Sequence, residues 1–203
     1  MSENSPLSMD RLDENPFALF ARWFEEAKQT EINDPDAIAL ATVDKNGMPS
    51  VRMVLLKDVG EDSFTFFTNH TSRKADELLA TGKAAFVMHW KSLRRQVRVV
   101  GRVAPATAEQ SDAYYASRSY GSRIGAWASD QSSPLENRQI LADKVADFEA
   151  QYPDDVPRPP HWGGFVISPE EIEFWADGEY RLHDRFKYTQ NADGVWQAQR
   201  LYP

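Results

Sequence analysis

The spacing of apolar residues changes period several times along the chain, and each change marks an element. Phe17, Phe20, Phe24 and Ala27 recur at helical spacing behind Asn15, a capping residue, and Pro16, a preferred first helical residue. This predicts a first amphipathic helix. "AIALATVDKNGMPSVRMVLLKDV" then reads as two strands around the turn signal Asn46-Gly47, and "SFTFFT" as a third. "SRKADELLATG" predicts a short helix with Ser72 as cap and Gly82 as terminator. "AAFVMHW" and "RRQVRVVGRV" are two more strands. In the second, Val97, Val99 and Val103 share one face, and Arg94, Gln96, Arg98 and Arg102 the other.

Thr107 and Gln110 have capping-box spacing for a helix through "AEQSDAYYASR". Ser133, Pro134 and Glu136 mark the start of another, "LENRQILADKVADFEAQY", and "YPDDVPRPP" is a connector. The strands "WGGFVIS" and "EIEFW" follow, then "EYRLHDRF", and finally "VWQAQRL" behind the turn "NADG". Strands outnumber helices and several are joined by short turns. The expected class is therefore α+β, mainly β: a mostly antiparallel sheet or barrel with flanking helices. Residues 1–14 read as a flexible tail and residues 15–203 as a single domain.

Composition narrows the function. The balance of 23 basic against 31 acidic residues gives a net charge of -8, which argues against a nucleic-acid binder, so any anion site must be a local cluster. With no cysteine there is no disulfide, thiolate metal site or cysteine nucleophile, which fits a cytoplasmic protein. No apolar run approaches the roughly 20 residues that span a bilayer, and the N-terminus lacks the regions of a signal peptide. His70, His89, His161 and His183 show no ligand-like spacing, so no metal site is expected. The common phosphate, dinucleotide, hydrolase and metalloprotease motifs are missing.

Five stretches could carry chemistry. In "TSRKADELL", Arg73 and Lys74 occupy a first helical turn, where the helix dipole favours acids. Free N–H groups, the Ser72 hydroxyl and two cations would suit a phosphate, and two long side chains bending into solvent would read the same. In "VRMVLLKDV", Arg52, Val54 and Leu56 lie on one face and Met53, Leu55 and Lys57 on the other, as for a flat ligand with an anionic tail or a core strand with snorkelling ends. "YYASRSYGSRIGAWASDQSS" runs from a helix ending near Arg118 into a loop of Ser, Gly and Arg, either an oxyanion site or a surface connection. The row Arg94, Gln96, Arg98, Arg102 fits a solvated or subunit-facing strand. In "EYRLHDRF", strand alternation would put Arg181, His183 and Arg185 on one face at roughly 6–7 Å intervals, as a solvated face or a row of cations for a ligand.

In order, "RMVLLK", "FFTNHTSRKA", "RRQVRVVG", "SRIGAWASDQSS", "WGGF", "IEFW" and "RLHDRF" resemble one family over nearly the whole chain: the pyridoxine/pyridoxamine 5′-phosphate oxidases, FMN enzymes of vitamin B6 salvage. The resemblance implies an FMN-binding split β-barrel with peripheral helices, acting as a homodimer whose two FMN sites take residues from both subunits. It implies FMN contacts from Arg52, Met53, Val54, Leu55, Leu56 and Lys57, with Phe67, Thr68, Arg73, Lys74, Gln96, Gln131, Ser132, Trp175 and Arg185. It implies that Lys57, Tyr114, Arg118 and Ser122 hold the substrate phosphate and that Arg181 and His183, the implied catalytic pair, lie against its pyridine ring. Asp184 would be a structural partner.

The implied reaction oxidises pyridoxine or pyridoxamine 5′-phosphate to pyridoxal 5′-phosphate and reduces oxygen to hydrogen peroxide. Two departures stand out. Many members carry an Arg- and Tyr-bearing segment before the first helix that folds over the site, whereas residues 1–12 here hold Arg11 but no tyrosine, so no lid role is carried over. Phe67 stands where a tyrosine is common. Another split-barrel flavoprotein, such as a flavin reductase, would explain the FMN stretches but not Arg118, Ser122, Arg181 and His183. A non-catalytic flavin or B6-vitamer binding protein would bind the ligand and form no peroxide.

Overall fold

The computed structural model describes residues 15–203, and the tail expected over residues 1–14 lies outside the described residues. Helix α1 (Pro16–Thr30) begins where the Asn15 side chain accepts a hydrogen bond from the Phe17 N–H at 2.9 Å. The strands are β1 (Ala37–Val43), β2 (Pro49–Val59), β3 (Phe64–Asn69), β4 (Lys83–Trp90), β5 (Arg95–Pro105), β6 (Trp162–Ala176), β7 (Asp184–Gln190) and β8 (Trp196–Leu201). They form one antiparallel sheet in the order β3-β2-β1-β4-β5-β6-β7-β8. A further β3–β6 pairing closes the first six strands into a barrel, and β7 and β8 extend from it as a wing.

Strand β6 makes this closure possible. It is one strand of 15 residues where the sequence suggested two. Its first part, Trp162–Ile167, pairs with β3 and its second, Glu171–Ala176, with β7, while β5 runs along both. The register on β5 shifts between Val100 and Gly101, opposite Pro169 and Glu171. Gly101 is required there, because a Cβ would lie 2.3 Å from the Ser168 carbonyl oxygen. The alternation read as two strands is thus one strand with a bend.

The barrel interior is filled by Ile38, Leu40, Leu56, Phe64, Phe66, Phe86, Val97, Val99 and Ile167, all buried. α1 closes one end: Phe17 stacks on Phe64 at 5.1 Å and Trp23 meets Phe174 edge-on at 5.3 Å. Burying these rings supplies most of what holds α1 to the barrel, at ~25 cal/mol per Å² of apolar surface. Helix α2 (Arg73–Thr81) ends at Gly82 in the left-handed region (φ 62), as expected. Helix α3 (Ala108–Ser117) carries the expected capping box from Thr107 and Gln110.

Four local expectations change. The stretch after Arg118 is not a loop: Tyr120–Ala128 forms helix α4. Helix α5 (Arg138–Gln151) starts behind Asn137, whose side chain caps Ile140, rather than at Ser133 and Pro134. The chain is still reversing there, with Ser132 at φ 75 and Ser133 N–H bonded to the Asp130 carbonyl. Arg94 precedes β5 in a turn (φ 52) and pairs with Asp177, so it does not share a strand face with Gln96 and Arg98.

"EYRLHDRF" is not a strand either. Residues Glu179–Arg181 form a 3₁₀ turn with Tyr180 and Arg181 at φ 56 and 66, and β7 begins only at Asp184. The chain folds so closely on itself that a Cβ on Gly178 would lie 2.1 Å from the Leu182 carbonyl oxygen. The alternating charges imitated a strand in a segment whose backbone is set by Gly178. No helix among the described residues is long and apolar enough to cross a membrane.

Candidate active site

The barrel opens where β2 and β3 part. They pair only from Leu56–Phe66 to Val59–Phe64; beyond that β2 stays with β1 and β3 with β6. The start of α2 sits at this fork. Ser72 occupies the cap position without capping, and its hydroxyl instead accepts from Lys74 Nζ at 3.2 Å. Lys74 is buried and also bonds Thr68 Oγ1 (3.1 Å) and Gln131 Oε1. Among the described residues it pairs with no carboxylate. Burial, with the Arg52 charge nearby, lowers its pKa to about 8.

Beside Lys74 is a buried carboxylate that sequence reasoning missed. Glu77 accepts from Thr42, from Ser50 (2.6 Å), from Arg73 Nε (2.8 Å) and from Arg52 Nη2 (3.3 Å). Burial alone would raise its pKa, but the Ser50, Thr42 and Arg73 hydrogen bonds and the Arg73 charge outweigh it and hold it at about 2. Its position four residues after Arg73 was the available signal.

A second cluster lies where α3, α4 and β6 meet. Arg118, Ser122, Asn69, Gln131 and Trp162 line a cavity of about 290 Å³. The Arg118 guanidinium lies 4.8 Å over the Trp162 ring, and its buried Nη1 has no hydrogen-bond partner among the described residues. Phe67 stacks on Tyr114 at 4.1 Å and on Trp162 at 5.5 Å, so the aromatic layer under the cavity is continuous. Gln131 joins the two clusters, since it both bonds Lys74 and lines the cavity. The sequence marks Trp162 as a strand residue within "WGGF", and its contact with the Arg118 cation is visible only in three dimensions.

The third cluster lies at the base of the wing, where β7 joins β6 of the barrel. Register puts Gln96 opposite Trp175, and Trp175 opposite Arg185, in one row across β5, β6 and β7. Buried Glu173 receives Arg185 Nε at 2.9 Å and lies 3.3 Å from Arg98 Nη1. The Glu173 hydrogen bond raises the Arg185 pKa further, outweighing burial. The His183 ring rests 4.6 Å from Trp175, and its Nδ1 accepts from the Gly178 N–H at 3.2 Å with Asp177 Oδ1 at 3.3 Å. Arg181 is exposed and has no hydrogen bond or ion pair among the described residues. Asp184 pairs with Arg200.

Arg52, Thr68, Arg73, Lys74 and Gln131 thus meet at the fork, with Ser132 beside them in sequence. Arg118 and Ser122 line the cavity, with Tyr114 in the aromatic layer beneath it, and Gln96, Trp175, Arg185 and His183 gather at the base of the wing. Lys57 does not join Arg118: it pairs with Asp36 at 2.6 Å on the wall of a different groove, under α1. Val54 is half-buried and Leu56 fully buried, so Leu56 can meet a ligand only through its backbone. Met53 and Leu55 point outward and, with Val51, form an exposed apolar strip (67%, 63% and 39% for Val51, Met53 and Leu55). Among the described residues no group of acidic and histidine side chains is placed to hold a metal.

Residues 24–152 match the family described as pyridoxamine 5′-phosphate oxidase, and residues 162–203 match the pyridoxine 5′-phosphate oxidase C-terminal dimerisation region. The chain belongs to the pyridoxamine 5′-phosphate oxidase family. A pyridoxine/pyridoxamine 5′-phosphate oxidase of Agrobacterium fabrum is 55% identical over 206 residues, covering 100% of both chains. One from Brucella canis is 56% identical over 190 residues, covering 93% of this chain and 94% of its own. The structure of PhzG from Burkholderia lata, solved with tetrahydrophenazine-1-carboxylic acid, superposes with a TM-score of 0.90 at 30% identity over 97% of this chain and 98% of its own. These oxidase-family likenesses cover the barrel and the wing together, which bears out the split-barrel expectation.

Proposed function

We propose that this chain is an FMN-dependent oxidase that converts pyridoxine 5′-phosphate and pyridoxamine 5′-phosphate to pyridoxal 5′-phosphate, with oxygen as the electron acceptor. The observation that carries the reading is a pair of cations without a counter-charge in an acidic protein, Lys74 buried and Arg118 half-buried. Lys74 has only neutral oxygen partners, and Arg118 has an unbonded buried N–H. A buried cation left without a counter-charge is costly, and a phosphate at each would remove that cost. The relatives' names supply the substrate class.

The fork residues fit the phosphate of FMN: Lys74, Arg73 and Arg52 provide charge, and Thr68, Ser72 and Gln131 fix the ammonium. When bound, FMN supplies the two-electron chemistry and passes the electrons to oxygen, giving hydrogen peroxide. Arg118 and Ser122 hold the substrate phosphate in their cavity, and Tyr114 supports the aromatic layer beneath it. Two anchored phosphates fix where two flat rings can lie against each other.

The wing residues Gln96, Trp175 and Arg185 are assigned to the flavin, and Arg181 and His183 to the substrate. The chain works as a homodimer, each site drawing its wing residues from the other subunit; the match of residues 162–203 to a dimerisation region supports this. The apolar strip of Val51, Met53 and Leu55 is assigned to the same interface. The His183 Nδ1 is engaged by the Gly178 N–H and the Asp177 carboxylate, which leaves Nε2 to hydrogen-bond a substrate oxygen. Arg181, without a partner of its own, orients the ring.

The test is direct. The full chain should take up FMN, pyridoxine 5′-phosphate should bleach the flavin without oxygen, and pyridoxal 5′-phosphate and peroxide should appear in air. A chain that takes up no FMN, or whose flavin is not bleached, overturns the proposal.

A further inference from the structure

Glu77 is the least expected group at the fork. Its side chain is 5% exposed and sits between Arg52 and Arg73. A carboxylate beside an anion site opposes the anion by simple electrostatics. Helix energetics do not account for it either. Arg73 followed by Glu77 is the less favourable order for an i,i+4 pair, and Arg73 stands in the turn where the dipole disfavours cations.

The contacts do account for it. Arg52 donates Nη1 to the Leu40 carbonyl at 3.2 Å and to Thr42 Oγ1, and Nη2 to Ser50 Oγ and to Glu77 at 3.3 Å. Thr42 and Ser50 also donate to Glu77, so β1, β2 and α2 are tied together at one carboxylate. Arg73, 62% exposed and otherwise free to swing, is held through Nε to the same group.

We propose that Glu77 is a positioning residue for the cofactor phosphate, touching no ligand itself but fixing the guanidiniums of Arg52 and Arg73 before the phosphate arrives. The inference rests on reading the fork as the FMN-phosphate site. An arginine side chain loses about 2 kcal/mol of rotamer freedom when fixed, and a pre-fixed pair loses less on binding. Charge and positioning therefore predict opposite results when the carboxylate is neutralised. Loss of the charge alone would tighten FMN binding; loss of positioning weakens it.

The experiment compares wild type and Glu77→Gln as full chains freed of flavin, titrated by flavin fluorescence with FMN and with riboflavin, which lacks the phosphate. Glu77→Gln is expected to weaken FMN about tenfold or more and to change riboflavin affinity less than about twofold. Equal or tighter FMN binding overturns the inference, as does parallel weakening of both flavins, which would mean a general structural role. Wild type that binds neither flavin overturns the cofactor reading instead. If the Glu77→Gln melting curve shows an unfolded chain, Glu77→Asp, which keeps the charge and withdraws the carboxylate from both guanidiniums, replaces it. Selective loss of FMN affinity in Glu77→Asp then supports the inference, and its absence overturns it.

Discussion

The Arg118 guanidinium lies over Trp162, 4.8 Å from the ring centroid, with a buried N–H left unbonded. The cation comes from the end of α3 and the ring from the first residue of the strand that closes the barrel. The ring holds the guanidinium in place without using its hydrogen-bonding capacity. An unmade bond to a buried donor costs about 1–3 kcal/mol, and the substrate phosphate is assigned to supply it.

Arg118→Ala should therefore raise the KM for pyridoxine 5′-phosphate by roughly 10- to 100-fold, with kcat changed much less. Steady-state kinetics on the flavin-loaded enzyme checks this, and an unchanged kcat/KM would remove Arg118 from the substrate site. Because the deletion also removes an unsatisfied buried donor, the melting temperature should fall little.

Trp162→Phe retains an aromatic layer under Phe67 and Tyr114 but weakens the cation–π contact. A loss of roughly 0.5–1 kcal/mol predicts a KM increase of a few fold and intact FMN binding. Parallel loss of FMN would show instead that Trp162 acts mainly by supporting the fork.

The fold was legible wherever a local rule and the core agreed. Asn15-Pro16, the Thr107–Gln110 box and Gly82 are short-range signals, and the structure keeps each one. Single stretches offered anion-site candidates, but grouping Arg73, Arg118 and Arg185 into one candidate site came only through resemblance, since they stand on separate elements that no periodicity brings together. What failed was alternation in "EYRLHDRF", where Gly178 forces a turn, and the loop reading after Arg118, where Gly121 and Gly125 masked a helix. Glu77 and Glu173 were invisible because a buried acid in sequence looks like a surface one, and only three-dimensional contact shows its two arginines.

Glu173 offers a stability test. It is 3% exposed and serves both Arg98 and Arg185. Glu173→Gln leaves two guanidiniums around a neutral amide; both arginines keep access to water, so the cost is about 1–3 kcal/mol, below that of a fully buried pair. Denaturant unfolding should show a loss approaching that size. A change under about 0.5 kcal/mol would mean that both arginines are already satisfied elsewhere.

Arg181 separates turnover from binding. It has no polar partner among the described residues, so Arg181→Ala should leave the melting temperature nearly unchanged. Orientation of the substrate over the flavin is its assigned task, and losing it should lower kcat about 100-fold while FMN affinity stays the same. Flavin lost on purification with no separate kinetic defect would make it a cofactor residue.

Lys74 tests whether affinity and stability oppose each other at the fork. Its folded pKa of about 8 is below the ordinary 10.5, so between these values the unfolded chain binds the proton that the folded chain releases. The charged ammonium therefore destabilises the flavin-free protein fully below about pH 8, and the penalty fades as pH rises toward 10.5. Lys74→Met should stabilise the flavin-free chain at neutral pH, by up to roughly 3 kcal/mol, with an advantage that shrinks in alkali. The Thr68–Gln131 hydrogen bond at 3.0 Å survives the change and keeps the neighbours paired. FMN affinity should move the other way, falling sharply in Lys74→Met at neutral pH, and in wild type declining as pH rises above about 8. Melting curves and FMN titrations across that range check both signs, and a flavin-free Lys74→Met protein less stable than wild type would show that the ammonium's three hydrogen bonds outweigh its burial.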